Sequence, residues 1–367
     1  MKNLFSLLGL LGLTAFSTSA ETNQPPVRLA VVGLVHGHIG SFIPSALNNP
    51  AVHLVGIVEP DAKLVERYAK TLRLEPNLFF PSLSALLART NVQVVAAFTT
   101  TRDHRRIVEE CAPRGLHVMM EKPLATTLAD ARAMADAAKK GGIHLLVNYE
   151  TTWYPATHAA YDLVCKQKAI GDIRKIVIHA GHAGPAKIGC PPEFLHWLND
   201  PEANGGGALT DMGCYGADLM TWLMQDARPT SVLAVTQQLQ PELYPEVDDE
   251  ATIVLTYPRA QGIIQAAWNW PFARKDMEIY GVTGQVLAPK KKSLRVLLPD
   301  KPEKDLPAPP LPAPQADPVS YLAAVVRGEL QPSGLSSLSV NLTVMEILEA
   351  ARESAKTGTR IDLPAQP

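Results

Sequence analysis

The chain begins with one positive charge at Lys2, then a charge-free apolar stretch, Leu4–Phe16, then the small residues Ser17, Thr18, Ser19 and Ala20. A membrane span needs about 20 apolar residues. This shorter stretch reads as a secretory signal peptide over residues 1–20, cut after Ala20. No twin arginine precedes it, so export in the unfolded state is expected. Beyond it, short apolar runs alternate with helical ones. Strands are predicted over 28–33, 53–59, 92–99, 116–120 and 144–148. Helices are predicted after the first glycine turn to about 48, and over 61–72, 107–114 and 128–140. Runs that are apolar throughout suit strands covered on both faces, so this half predicts a parallel, doubly wound α/β sheet. After residue 150 the pattern changes. Strands at 173–182, 231–240, 251–257, 262–269, 276–280 and 293–298 follow one another with short turns, which predicts a largely antiparallel sheet. Helices at about 156–167 and 213–224 would cover one of its faces.

The stretch 299–318 has seven prolines between Pro302 and Pro318. Such a composition favours an extended, stiff strap over a core element. Helices at about 318–327 and 337–356 are expected to pack back on the body. The 367 residues, 46% apolar and 19% charged, fit two globular domains and exclude a mainly disordered chain. The net charge of −2 argues against a dedicated nucleic-acid binder. No window after the first twenty residues reads as a membrane span. Cys111, Cys165, Cys190 and Cys214 have no metal-ligand spacing, and no particular disulfide is expected.

Chemistry first appears at the turn after the first strand. The dinucleotide pattern G-x-G-x-x-G would fall on Gly33, Val35 and His38, of which only the first is glycine. Gly37 and Gly40 offer a shifted version of that turn, and Ile39 opens the helix. His36 and His38 could donate to a phosphate, or cap the helix. Glu59 ends the second strand, 26 residues after Gly33. A carboxylate there can accept from ribose hydroxyls and would repel a 2′-phosphate, which favours NAD over NADP. Thr99, Thr100 and Thr101 end the next strand, where ligands of such sheets bind.

From Glu121-Lys122-Pro123 onward the chain resembles the Gfo/Idh/MocA oxidoreductases. The motifs run in that family's order: the Gly33 turn, Glu59-Pro60-Asp61, Thr99 with His104, Glu121-Lys122-Pro123 and Asn148-Tyr149. They continue with Gly205 to Gly213, Asp248-Asp249, and Gly281 with Gly284. The resemblance implies an NAD(P)-binding Rossmann domain over 27–150. It implies a second α/β domain over 151–298, whose open sheet often joins copies into a homo-oligomer. It implies hydride transfer at a sugar or polyol carbon. Gly33, Val35, His36, Gly37, His38, Ile39, Glu59, Thr99, Thr100, His104, Glu121, Lys122 and Asn148 would line the cofactor. Lys122 would contact the substrate hydroxyl and move its proton, and its pKa is expected to be lowered beside a cationic ring. The peptide before Pro123 is often cis in that family.

Many members carry Asp and His four residues apart after the glycine run. This chain has Asp211 and Tyr215, a pair on one helical face, and a tyrosine can also relay a proton. Asp211 would orient substrate or Lys122, or cap a helix. Tyr149, Trp153, His182 and Trp197, with His196, are weaker candidates for substrate contact. His179 and His182 would point to opposite faces of a strand, so no metal site is expected there. Free NAD is scarce outside the cytoplasm, so an exported member is expected to hold its cofactor tightly. Two alternatives stay open at this point: a glycosidase working through a transient keto-sugar on bound NAD, and a non-catalytic sugar- or nucleotide-binding protein.

Overall fold

The computed structural model describes residues 24–364, so the expected signal peptide at 1–20 lies outside the described residues. The first half runs β1 (Val27–Val32), α1 (Ile39–Leu47), β2 (Val52–Val58), α2 (Ala62–Leu72), β3 (Phe79–Phe80), α3 (Leu83–Leu87) and β4 (Val94–Ala97). It continues with α4 (His104–Cys111), β5 (His117–Glu121), α5 (Leu128–Gly141) and β6 (Leu145–Asn148). The six strands form one parallel sheet in the order β3-β2-β1-β4-β5-β6. Leu29, Val31, Ala96 and Met119 face one core, and Ala30, Val95, Val118 and Met120 face the other. Burial on both sides is why these strands read as unbroken apolar runs.

The second half holds α6 (Pro155–Tyr161), β7 (Ile173–Gly181), α7 (Pro192–Leu198), α8 (Pro201–Asn204), α9 (Ala208–Asp211) and α10 (Gly213–Leu223). Then come β8 (Ser231–Gln237), β9 (Glu250–Thr256), β10 (Gln261–Ala267), β11 (Arg274–Gly281), β12 (Gln285–Lys290), β13 (Ser293–Leu297) and β14 (Lys304–Pro307). The chain closes with α11 (Pro318–Val326), α12 (Leu338–Thr357) and β15 (Ile361–Asp362). The nine strands order as β14-β13-β12-β11-β7-β10-β9-β8-β15. Only β7 and β10 pair in parallel. Residues of β9 and β10 alternate between buried and half-exposed, the signature of a sheet covered on one face. Helices α10 and α12 provide that cover.

Three features depart from the sequence reading. The proline-rich stretch is not a bare strap, because Lys304–Pro307 pairs with β13 as an edge strand. Proline is tolerated at such an edge. Strands β3, β12 and β15 and helices α3, α7 and α8 are additional; the prolines in and before several of them hide their periodicity. The closing helices separate: α11 joins the core of the first sheet beside α1, while α12 lies on β8, α10 and α5. All four cysteines are free.

One clamp sets the second domain's working loop. The carboxylate of Asp248 accepts from the amides of Gly207 (3.0 Å) and Leu209 (2.6 Å), and its carbonyl accepts from the Ala208 amide (2.9 Å). A methyl group on Gly207 would run into the Asp248 backbone. Gly207→Ala should therefore destabilise the chain by about 1–3 kcal/mol, the range for overpacking a fitted site. Urea denaturation of both forms checks this, and an unchanged midpoint would show that the loop gives way freely.

Candidate active site

The C-terminal ends of β1, β4 and β5 converge where the strand order turns outward from β1, the usual ligand position in such sheets. Gly33 adopts φ +87°, and its Cα lies so close to Thr99 and the Phe98 carbonyl that no side chain fits. Its amide donates to the Val58 carbonyl (2.8 Å), and the His36 amide to that of Phe98 (3.1 Å), which fixes the turn to its neighbours. Glu59 is buried, and its two oxygens accept from the amides of Leu34 and Asp61, both at 2.9 Å. Burial pushes its carboxyl up from the ordinary value, opposed by those two bonds. Each oxygen keeps a second lone pair for a hydroxyl.

Helix α7 roofs this turn. The Phe194 ring lies over Gly37 and beside the His36 ring, and the Trp197 indole donates to the Val35 carbonyl (3.2 Å). Arg67 of α2 pairs with Glu193. Trp197 is thus spent on packing the turn, while His196 is exposed on the outer side of α7. Ile39 is in the core under α1. Thr99 turns its hydroxyl to the Thr100 carbonyl, and Thr100 caps the turn at Asp103. His104 is buried, with Nδ1 against the Leu124 carbonyl (3.1 Å), and so fastens the segment after Lys122 to α4. His36 and His38 both turn to Glu121.

Lys122 ends this strand region on the other side. The Lys122–Pro123 peptide is cis. Its ammonium pairs with the Asp211 carboxylate and donates to the Asp211 carbonyl (3.2 Å), with both side chains buried. The second oxygen of Asp211 accepts from the Trp268 indole (2.9 Å). Asp211 is therefore not a helix cap: its carboxylate is spent on Lys122 and Trp268, and α10 starts with no side-chain cap. Burial alone would lower the Lys122 pKa. Asp211 reverses this, so the group lies above the ordinary lysine value, whereas the lowering expected from sequence supposes a cationic ring beside it. In turn burial raises the Asp211 carboxyl and Lys122 brings it down to about 2.

Tyr215 is buried one turn along α10. Two ammoniums lie over its ring, Lys122 at 5.2 Å and Lys275 at 4.4 Å from the ring centre. Lys275 is held by Glu150, whose other oxygen accepts from the Tyr154 hydroxyl. The His182 ring lies in the field of Asp211 and both lysines, and its Nδ1 accepts from the Gly184 amide (2.9 Å). Burial lowers its pKa. Tyr149 does not reach the cleft. It is fully buried, edge-on to Tyr215, with its hydroxyl donating to Asn341 of α12 (3.0 Å).

Asn148 donates to Glu121 (2.8 Å) and accepts from the Trp153 indole (2.9 Å). These three, with His38, Glu150 and Asp317, border a cavity of about 740 Å3 that extends to the proline-rich segment. Lys122 and Asp211 do not border it. Trp268, Lys275 and Glu150 escaped the sequence reading. Trp268 shares strand parity with the buried Ile264 and Ala266, a signal that could have placed it inward.

Residues 27–149 match the family described as "Oxidoreductase family, NAD-binding Rossmann fold", and residues 159–287 match "GFO/IDH/MocA C-terminal domain". A 1,5-anhydro-D-fructose reductase from Ensifer adhaerens is 32% identical over 42% of this chain and 44% of its own length. A trans-1,2-dihydrobenzene-1,2-diol dehydrogenase from Sus scrofa is 27% identical over 49% of each. The chain thus spans about half the length of these curated relatives. Among solved structures, aldose-aldose oxidoreductase from Caulobacter crescentus superposes with TM-score 0.78 at 24% identity, covering 92% of this chain and 100% of that one. An inositol dehydrogenase homolog from Azotobacter vinelandii, complexed with NAD+, gives 0.79 at 19%, covering 92% and 98%. These likenesses establish the fold. With both family domains matched in order, the chain belongs to the Gfo/Idh/MocA family of NAD-binding Rossmann oxidoreductases.

Proposed function

We propose that the protein is an exported, NAD-dependent oxidoreductase acting at a secondary alcohol, or the matching ketone, of a carbohydrate. The observation that carries this is the buried Lys122–Asp211 pair, set at the end of β5 beside the glycine turn. The turn fits a dinucleotide at the Gly33 cradle, which a Cβ would fill, and at the free lone pairs of Glu59. That carboxylate supports NAD over NADP. The roof of Phe194 and Trp197 supports a cofactor that stays bound through turnover, as an exported chain requires. The sugar-directed names of the relatives support the substrate class. The exposed apolar side chains Leu233 (40%) and Val235 (62%) on β8 of the large sheet support a homo-oligomer. No helix among the described residues is long and apolar enough to cross a membrane.

A bound nicotinamide supplies the hydride acceptor or donor. The chain's own residues handle the oxygen and its proton. Lys122 rests as an ammonium, so it begins as a donor to a carbonyl oxygen in the reductive direction. In oxidation it must first lose its proton to act as the base. Asp211 holds the ammonium in place, and the Trp268 indole fixes Asp211. Tyr215 presents its ring to both Lys122 and Lys275, so two cations lie near one aromatic surface.

The purified chain should release NAD, identified by mass, on acid denaturation; protein free of nucleotide that also fails to bind added NAD would overturn the cofactor assignment. Lys122→Met should lower kcat by about 10²- to 10⁴-fold, with circular dichroism unchanged; equal turnover would remove Lys122 from the reaction. Because Asp211 raises the Lys122 pKa, the oxidation rate should climb with pH into the alkaline range. Asp211→Asn removes the largest charge opposing burial and leaves weaker ones such as Glu121, so this limb should move to lower pH. A limb that stays in place would show that another group is the base.

A further inference from the structure

We infer that His36, His38 and Glu121 form a site for one divalent transition-metal ion at the mouth of the 740 Å3 cavity. The two histidines flank Gly37 in the turn after β1, and the carboxylate ends β5, with β4 between the two strands. His38 Nδ1 lies 3.0 Å and His36 Nε2 3.9 Å from Glu121 Oε2, and all three ligand atoms fall within 4.8 Å of one another. Ligands about 2.1 Å from a common ion stand roughly 3–4 Å apart, so a small closing movement completes the set. Two imidazoles and one carboxylate select zinc, iron or manganese over calcium or magnesium.

A second observation points the same way. His36 is 1% exposed, enclosed by Phe98, Phe194 and Trp197, and its Nε2 has no hydrogen-bond partner while it faces Glu121. Buried polar atoms are normally satisfied. The His36 Nδ1 accepts from the His38 amide at 3.2 Å. Coordination through Nε2 places the ring proton on Nδ1, so that long contact is given up in the loaded state. Behind the ligands, Asn148 holds the other oxygen of Glu121 (2.8 Å), and Trp153 holds Asn148 (2.9 Å). Such outer partners orient ligands for an ion. His38 and Glu121 border the cavity, so the ion's remaining positions face a space open to a substrate hydroxyl or carbonyl oxygen. The cluster of His179, Asp276 and Glu278 differs, because Arg274 already supplies its cation through Asp276 (2.7 Å) and the His179 ring (3.1 Å).

The site goes beyond the redox reading, and its test needs neither substrate nor turnover. Tag-free full chain, with its nucleotide content recorded, is stripped with a chelator and titrated with cobalt(II), following the visible d–d bands. One ion per chain is expected, displaced by zinc. The His38 side chain is 40% exposed, so His38→Ala should fold, and Glu121→Gln keeps the shape of its parent. Each removes or weakens a ligand and should weaken cobalt binding by at least the roughly 10- to 100-fold that loss of an outer partner costs, with circular dichroism unchanged. The proposal is overturned if the chain takes up no cobalt, if both variants bind as the parent does, or if His179→Ala is the change that abolishes binding.

Discussion

One buried ion pair, Lys122 with Asp211, ties the two halves of this molecule together. Its partners come from different domains, 89 residues apart. Two charges removed from water are costly to keep, and their attraction compensates only when the remaining hydrogen-bonding capacity is met. The surroundings meet it. The Asp211 carbonyl takes a second bond from the ammonium, and the Trp268 indole takes the other carboxylate oxygen. The Asp248 clamp sets the start of α9, which ends in Asp211, and His104 fastens the chain just after Pro123. The pair therefore lies on the seam along which the domains meet.

Around that seam, aromatic surface packs over a turn that carries glycine at more positions in a simpler dinucleotide fold. Where G-x-G-x-x-G would place glycine, this chain has Val35 and His38, and the backbone is correspondingly covered. Trp197 bonds to the Val35 carbonyl and Phe194 closes on Gly37. The α7 helix thus belongs as much to the first domain's turn as to the second domain that carries it.

The fold was legible wherever burial on both faces produced an unbroken apolar run, as in β1, β2 and β4. The second domain was legible in outline, because β9 and β10 alternate cleanly. It was not legible where charge or proline interrupts a paired strand. The strand expected over 276–280 opens two residues earlier, at the charged Arg274-Lys275, and so Lys275 was overlooked. Pro289 and three successive lysines obscured β12. The ordered motifs singled out Lys122 and Asp211. They carried no sign that Trp268 would hold Asp211, or that His36 and His38 would gather on Glu121. Those are tertiary facts, set by which strand ends lie together. The resting charge of Lys122 belongs with them, since it depends on a neighbour brought in by folding.

The path of the chain also has a mechanical meaning. Backbone crosses between the domains three times: from β6 into α6, from β14 along the proline-rich segment into α11, and from α11 into α12. A single linker would let two bodies swivel about any axis. Three tethers at separate points, one of them stiffened by proline, remove most of those axes and hold the two surfaces of the seam in register.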